Sequence, residues 1–151
     1  MTRISKFSFF FLLIHSTLFF CACSQAFEHI PDEMADKEQI STAQTITDEY
    51  FRVLKEGGTY DFTGKAIEEF IQGFPPEVQK KSHEQVTSQF GNYESLEYAG
   101  TWLHTNGEKY TIIRFRGSFS KAGTDPEVRV VLNAENKLAG LWIMPWKDEL
   151  R

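Results

Sequence analysis

A chain of 151 residues, 41% hydrophobic and 15% aromatic, holds material for one compact core. Its formal charge is −5, and Arg3 and Lys6 are the only charged residues ahead of Cys23, so a product cut there is more acidic still. That sign, with no Lys/Arg run, removes the attraction on which phosphate-backbone binding depends, so no nucleic-acid partner is expected.

MTRISK supplies positive charge, and the apolar run Phe7 to Phe20 follows it, which is the pattern of a secretory signal. The run is too short to span a bilayer as a helix. The only cysteines, Cys21 and Cys23, stand one residue apart, a separation ill suited to a mutual disulfide, and they lack the further ligands a structural zinc would need. The stretch LFFCACSQAF resembles the lipobox of bacterial lipoproteins, in which a small residue precedes the acceptor cysteine. Ala22 marks Cys23 as the lipidated residue, whereas bulky Phe20 disfavours Cys21. An ordinary signal cut beyond Ala26 is the alternative. The resemblance implies residues 1–22 as a signal peptide and a lipid anchor in the cell envelope. By the Ser24 that follows, it implies the outer membrane facing the periplasm if the organism has one.

SQAFEHIPDEMADKEQ is acidic and poor in large apolar residues, so residues 23–39 read as a flexible tether and residues 40–151 as a domain that folds without it. In ISTAQTITDEYFRVLKEGG, Ile46, Tyr50, Val53 and Leu54 recur at helical spacing, with Ser41 or Thr42 as cap and Gly57-Gly58 as stop. A shorter helix carries Ala66, Ile67, Phe70 and Ile71, and a third sets Val78, Val86 and Phe90 on one side before Gly91. From Ser95 the period becomes two. LEYAGTWLH, YTIIRFRGSF and a hairpin turning at NAEN make four antiparallel strands, with Thr111, Ile113, Phe115 and Phe119 on one face and Tyr110, Arg114, Arg116 and Ser118 on the other. Three helices ahead of a meander predict an α+β fold, the helices packed on one face of a curved antiparallel sheet.

The order EGGTYDF, QFGNYESLEYAG and VRVVLNAENKLAGLWIMP resembles bacterial domains of unknown function in the nuclear transport factor 2-like, cystatin-like superfamily. Such domains stand alone in lipoproteins or are fused ahead of α/β-hydrolases. The resemblance covers Ile40 to Trp146 and implies a cone of sheet around helices with a pocket between them.

That superfamily includes isomerase- and dehydratase-like enzymes, whose chemistry needs a base aimed into an apolar pocket and a donor facing an oxyanion. Tyr50, Tyr60, Asp61, Tyr98, His104 and Tyr110 are residues of the right types, but none stands in a matching motif. Plain readings compete: Tyr50 as core, Tyr60-Asp61 as turn and cap, His104 as a strand end and His83 on a solvated face. Arg114 and Arg116 read as exposed charges on the open face or, alternatively, as a grip on a carboxylate. No G-x-S-x-G, phosphate loop, HExxH or metal-ligand spacing is present, so neither metal nor cofactor is expected.

The expectation is therefore a noncatalytic domain binding a small ligand or an envelope protein, with a small pocket enzyme as alternative. Both faces of Lys137 to Trp146 are apolar, so Leu141, Trp142 and Ile143 are interface candidates. Either a second copy, making a homodimer, or the folded-back C-terminal segment would cover the outer row.

Overall fold

The computed structural model describes residues 26–121, 123 and 125–148. The signal segment and Cys23 lie outside the described residues. The architecture is α+β: strand β1 (Phe27–Ile30), helices α1 (Lys37–Lys55), α2 (Glu68–Gly73) and α3 (Pro76–Phe90), then strands β2 (Tyr93–His104), β3 (Thr111–Phe119), β4 (Pro126–Leu132) and β5 (Leu138–Pro145). The five strands form one antiparallel sheet in the order β1-β2-β3-β4-β5.

The segment expected to be a tether instead enters the fold. Phe27 to Ile30 pair with His104 to Thr101, adding an edge strand. Ala35 is buried, and Asp36 rather than Ser41 or Thr42 caps α1, its Oδ1 accepting from Glu38 N at 2.8 Å and Gln39 N at 3.3 Å. Composition hid this, because a four-residue edge strand draws its order from the partner strand and not from its own apolar content.

Helix α1 buries Ala43, Ile46, Thr47, Tyr50, Phe51 and Leu54 against the inner sheet face, where Ile113, Phe115, Phe119, Val128, Val130, Leu132 and Leu138 meet them. Aromatic rings fill the space between the layers. Phe51 stacks on Tyr93 at 4.4 Å, and Tyr50 contacts Tyr60, Phe62 and Phe74. On α3 Val86 and Phe90 are buried as expected, but Val78 is 39% exposed and Gln79 is buried instead. Its amide accepts from Tyr60 N and donates to the carbonyls of Tyr60 and Phe74, satisfying the chain where it enters α3.

In the closing hairpin Val130 lies opposite Leu141. Leu141 and Ile143 therefore pack on the core, and Trp142 and Met144 take the outer face beside Arg129 and Glu127. Three outer or core aromatics share one device. Trp102, Phe119 and Trp142 each fold back over a glycine two residues earlier, so that a Cβ on Gly100, Gly117 or Gly140 would come within 2.8, 2.6 or 2.1 Å of the ring. Each ring covers backbone that the glycine leaves bare. Gly100 also follows a bulge at Ala99 and holds φ +142°, a conformation that side-chain-bearing residues resist.

Candidate functional site

The outer face of the sheet gathers His104, Tyr110, Arg114, Arg116 and Trp142 of the residues singled out from sequence. The alternation of β3 places Arg114 and Arg116 there because Ile113 and Phe115 occupy the core. Arg114 is nevertheless not an exposed charge. It is 1% exposed and bonds Glu127 Oε2 through Nη2 at 2.7 Å. Arg129 Nε bonds the other carboxylate oxygen, Oε1, at 2.7 Å. Arg114 stands directly opposite Arg129 in the sheet register, and like charges so placed repel unless an anion lies between them. Glu127 supplies that anion.

Aromatic faces complete the enclosure. The Arg114 guanidinium lies 5.1 Å from the Trp102 ring centroid and 4.5 Å from that of Trp146, and Arg116 lies 4.0 Å from Trp146. Arg114 Nη2 also donates to the Lys147 carbonyl. Thus the chain after β5 turns back across the Arg114 side of the outer face. Arg116, half-exposed, faces Asp125 at 3.6 Å.

Beside this cluster is a basin of about 290 Å³ lined by Phe27, His104, Ile112, Val131, Trp142 and Met144, with Tyr110 and Arg129 at its wall. Five strands contribute to it, which is why no local motif announces it. His104 is held by Phe27 at 5.6 Å between ring centroids and by a 3.3 Å contact from Nδ1 to the Glu108 carbonyl. Tyr110 donates to Glu108 Oε2 at 2.5 Å, a bond that raises its phenol pKa.

The remaining candidates lie elsewhere. Tyr50 is core, and burial raises its pKa to about 12. Tyr60 donates to Glu49 Oε2 at 2.5 Å, and Lys65 Nζ reaches the same oxygen at 2.9 Å and the Tyr60 hydroxyl at 2.5 Å. Burial, then the Glu49 bond, raises the Tyr60 pKa; the bonds to Tyr60 and Glu49 raise that of Lys65; the bonds to Tyr60 and Lys65 lower that of Glu49. Each shift moves its group away from neutral pH, so the trio holds fixed protonation states instead of exchanging protons. Asp61 accepts from Thr63 N at 2.9 Å in a turn, and its bonds to Thr63 lower its pKa. Tyr98 bonds Thr101 Oγ1 at 2.9 Å.

Leu141, Trp142 and Ile143 line a groove of about 760 Å³ between β5 and α3, whose α3 side includes Gln85, Gln89 and Phe90. Sequence reasoning missed Phe27, Trp102, Glu127, Arg129 and Trp146. The readable signal was Glu127-x-Arg129, alternating on β4 as Arg114-x-Arg116 does on β3.

Among the described residues no group of three His, Cys, Asp or Glu is placed to hold a metal ion, and no helix is long and apolar enough to cross a membrane. No family model, no curated protein and no solved structure matches the chain.

Proposed function

We propose that this chain is an envelope lipoprotein, anchored through Cys23, whose domain binds a small ligand or an envelope protein without catalysing a reaction, and that the outer sheet face is its binding surface. The observation that carries this is the juxtaposition of an apolar basin with the Arg114–Glu127–Arg129 cluster on one face. Small-molecule sites are usually apolar concavities with a few convergent polar groups. In the same reading the sheet curls as a nuclear transport factor 2-like, cystatin-like cone, supported by the run of three helices into a four-strand meander, with β1 as an added edge. An isomerase- or dehydratase-type enzyme has less support, because aromatic side chains fill the space between helices and sheet where such a pocket would lie.

With Cys23 as anchor, only Ser24 to Ala26 separate the lipid from β1, at most about 10–14 Å of extended chain. The domain then sits against the membrane instead of ranging on a long tether. Growth with an alkyne palmitate analogue tests the anchor. Wild type and Cys21→Ala take the label and sediment with membranes, and Cys23→Ala does neither. Label retained by Cys23→Ala removes the lipoprotein reading.

A further inference from the structure

We infer that the outer-face basin takes a small monocarboxylate with an apolar body, its carboxylate at Arg129 and its apolar part against Ile112, Val131, Trp142 and Met144. This rests on the reading of the outer face as a binding surface and adds the chemical class of the ligand.

The cluster is short of negative charge. Two guanidiniums share one carboxylate, and both oxygens of Glu127 are already taken, one by each arginine. The side chains of Glu127, Arg114 and Arg129 are 0%, 2% and 16% exposed, so water does little to screen the surplus cation. Asp125 lies on Arg116, outside the cluster. Arg114 Nε is buried with no acceptor among the described residues, a second sign that donors outnumber acceptors here.

Arg129 is the arginine that reaches the basin. It spends Nε on Glu127, which fixes the guanidinium plane and leaves its terminal nitrogens as the donors suited to a carboxylate. Arg114 is closed off by Trp102, Trp146 and the Lys147 carbonyl. The basin itself offers mostly carbon: an indole, a thioether, a phenyl ring and two branched aliphatic side chains. At about 290 Å³ it lies at the small end of ligand pockets, and beside the His104 ring and the Tyr110 phenol, both held by Glu108, its lining offers the Arg129 guanidinium. An apolar cation would meet Arg129 as a like charge, and a neutral apolar molecule would bring no carboxylate to its terminal nitrogens.

Met144 in the basin and Met34, 74% exposed and not part of its lining, make methionine-methyl NMR a local reporter with an internal control. The full chain, held in phosphatidylcholine nanodiscs, is titrated with 3-phenylpropanoate, 3-phenylpropan-1-ol and 3-phenylpropylammonium, with empty nanodiscs subtracted. The carboxylate should shift the Met144 methyl saturably, leave Met34 in place, and bind about tenfold or more tighter than the alcohol and the ammonium. Arg129→Gln should bring acid and alcohol to similar affinity. Val131→Trp, which retains the arginine, should block the basin to all three.

Equal binding of acid and alcohol to wild type, or acid binding unchanged by Arg129→Gln, overturns the carboxylate assignment while the outer face stands as a binding surface. A Met144 methyl unmoved by every probe overturns the assignment and removes the basin from the proposed binding surface as well.

Discussion

Glu127 Oε2 lies 2.7 Å from Arg114 Nη2 with 0% and 2% of the two side chains exposed, and this pair sits on the sheet face opposite the helices. An ion pair enclosed this fully offsets its desolvation only while both charges are present. Glu127→Ala leaves Arg114 enclosed without its counter-charge and Arg129 without its Nε acceptor. The expected loss in urea unfolding of the purified protein is about 3–5 kcal/mol. Replacing Arg114 and Glu127 together by Met should return most of that loss, since neither buried charge of the pair then remains. A double variant no more stable than Glu127→Ala would mean the burial matters for shape and not for charge.

The edge strand and the cap of α1 lie in the acidic segment, so removing residues 24–36 should lower the melting temperature by several degrees. Two losses contribute: the ladder from Phe27 to Ile30 against β2, and the bonds from Asp36 to Glu38 N and Gln39 N. Asp36→Ala isolates the cap, which is worth typically about 1 kcal/mol. Calorimetry on the deletion and the point variant separates them. A deletion that melts with wild type would show that β1 adds no stability.

What could be read from the chain followed the strength of its periods. The face of α1 around Ile46, Tyr50 and Leu54, and the alternation of Ile113 and Phe115 with Arg114 and Arg116, were legible because one face of each element is buried along its length. β1 was not, since FEHI has no period of its own and is ordered by pairing with Thr101 to His104.

Arg114 shows the other limit. Its burial depends on Glu127, thirteen residues later, and on the Lys147 carbonyl, thirty-three residues later, with Trp146 beside it. No local window contains those partners. Gly-x-aromatic at GTW, GSF and GLW was in plain view, and reading it would have placed Trp102 and Trp142 over glycines on the sheet.

Tyr50 gives a pH dependence with a definite sign. Burial raises its pKa to about 12 from the ordinary value near 10, so the folded state holds the phenolic proton more tightly than the unfolded chain. Its contribution is therefore complete below about pH 10 and lost as pH rises toward 12, by roughly 2–3 kcal/mol at the upper end. Tyr50→Phe removes the titrating group and keeps the ring that contacts Phe51 and Phe62. Stability of the variant should fall less steeply than wild type between pH 10 and 12 in urea titrations at each pH. Parallel curves would place the alkaline loss on other groups.

The glycines beneath Trp102 and Trp142 should differ in what an added methyl group costs. At Gly140 a Cβ would lie 2.1 Å from Trp142 Cη2, the far end of a ring on a side chain already 48% exposed, so the indole can swing outward. Gly140→Ala should cost less than about 1 kcal/mol while shifting tryptophan emission to the red, because Trp142 leaves the basin for solvent. At Gly100 the same change meets two obstacles. The φ of +142° strains any side-chain-bearing residue, and Trp102 is held between His29, 4.9 Å away by ring centroid, and the Arg114 guanidinium. Gly100→Ala should therefore cost about 1–3 kcal/mol from the backbone alone and disturb the Arg114 enclosure besides. Urea unfolding followed by tryptophan fluorescence compares the two variants directly. Equal losses, or a larger loss at Gly140, would mean that Trp142 is held on the sheet as firmly as Trp102.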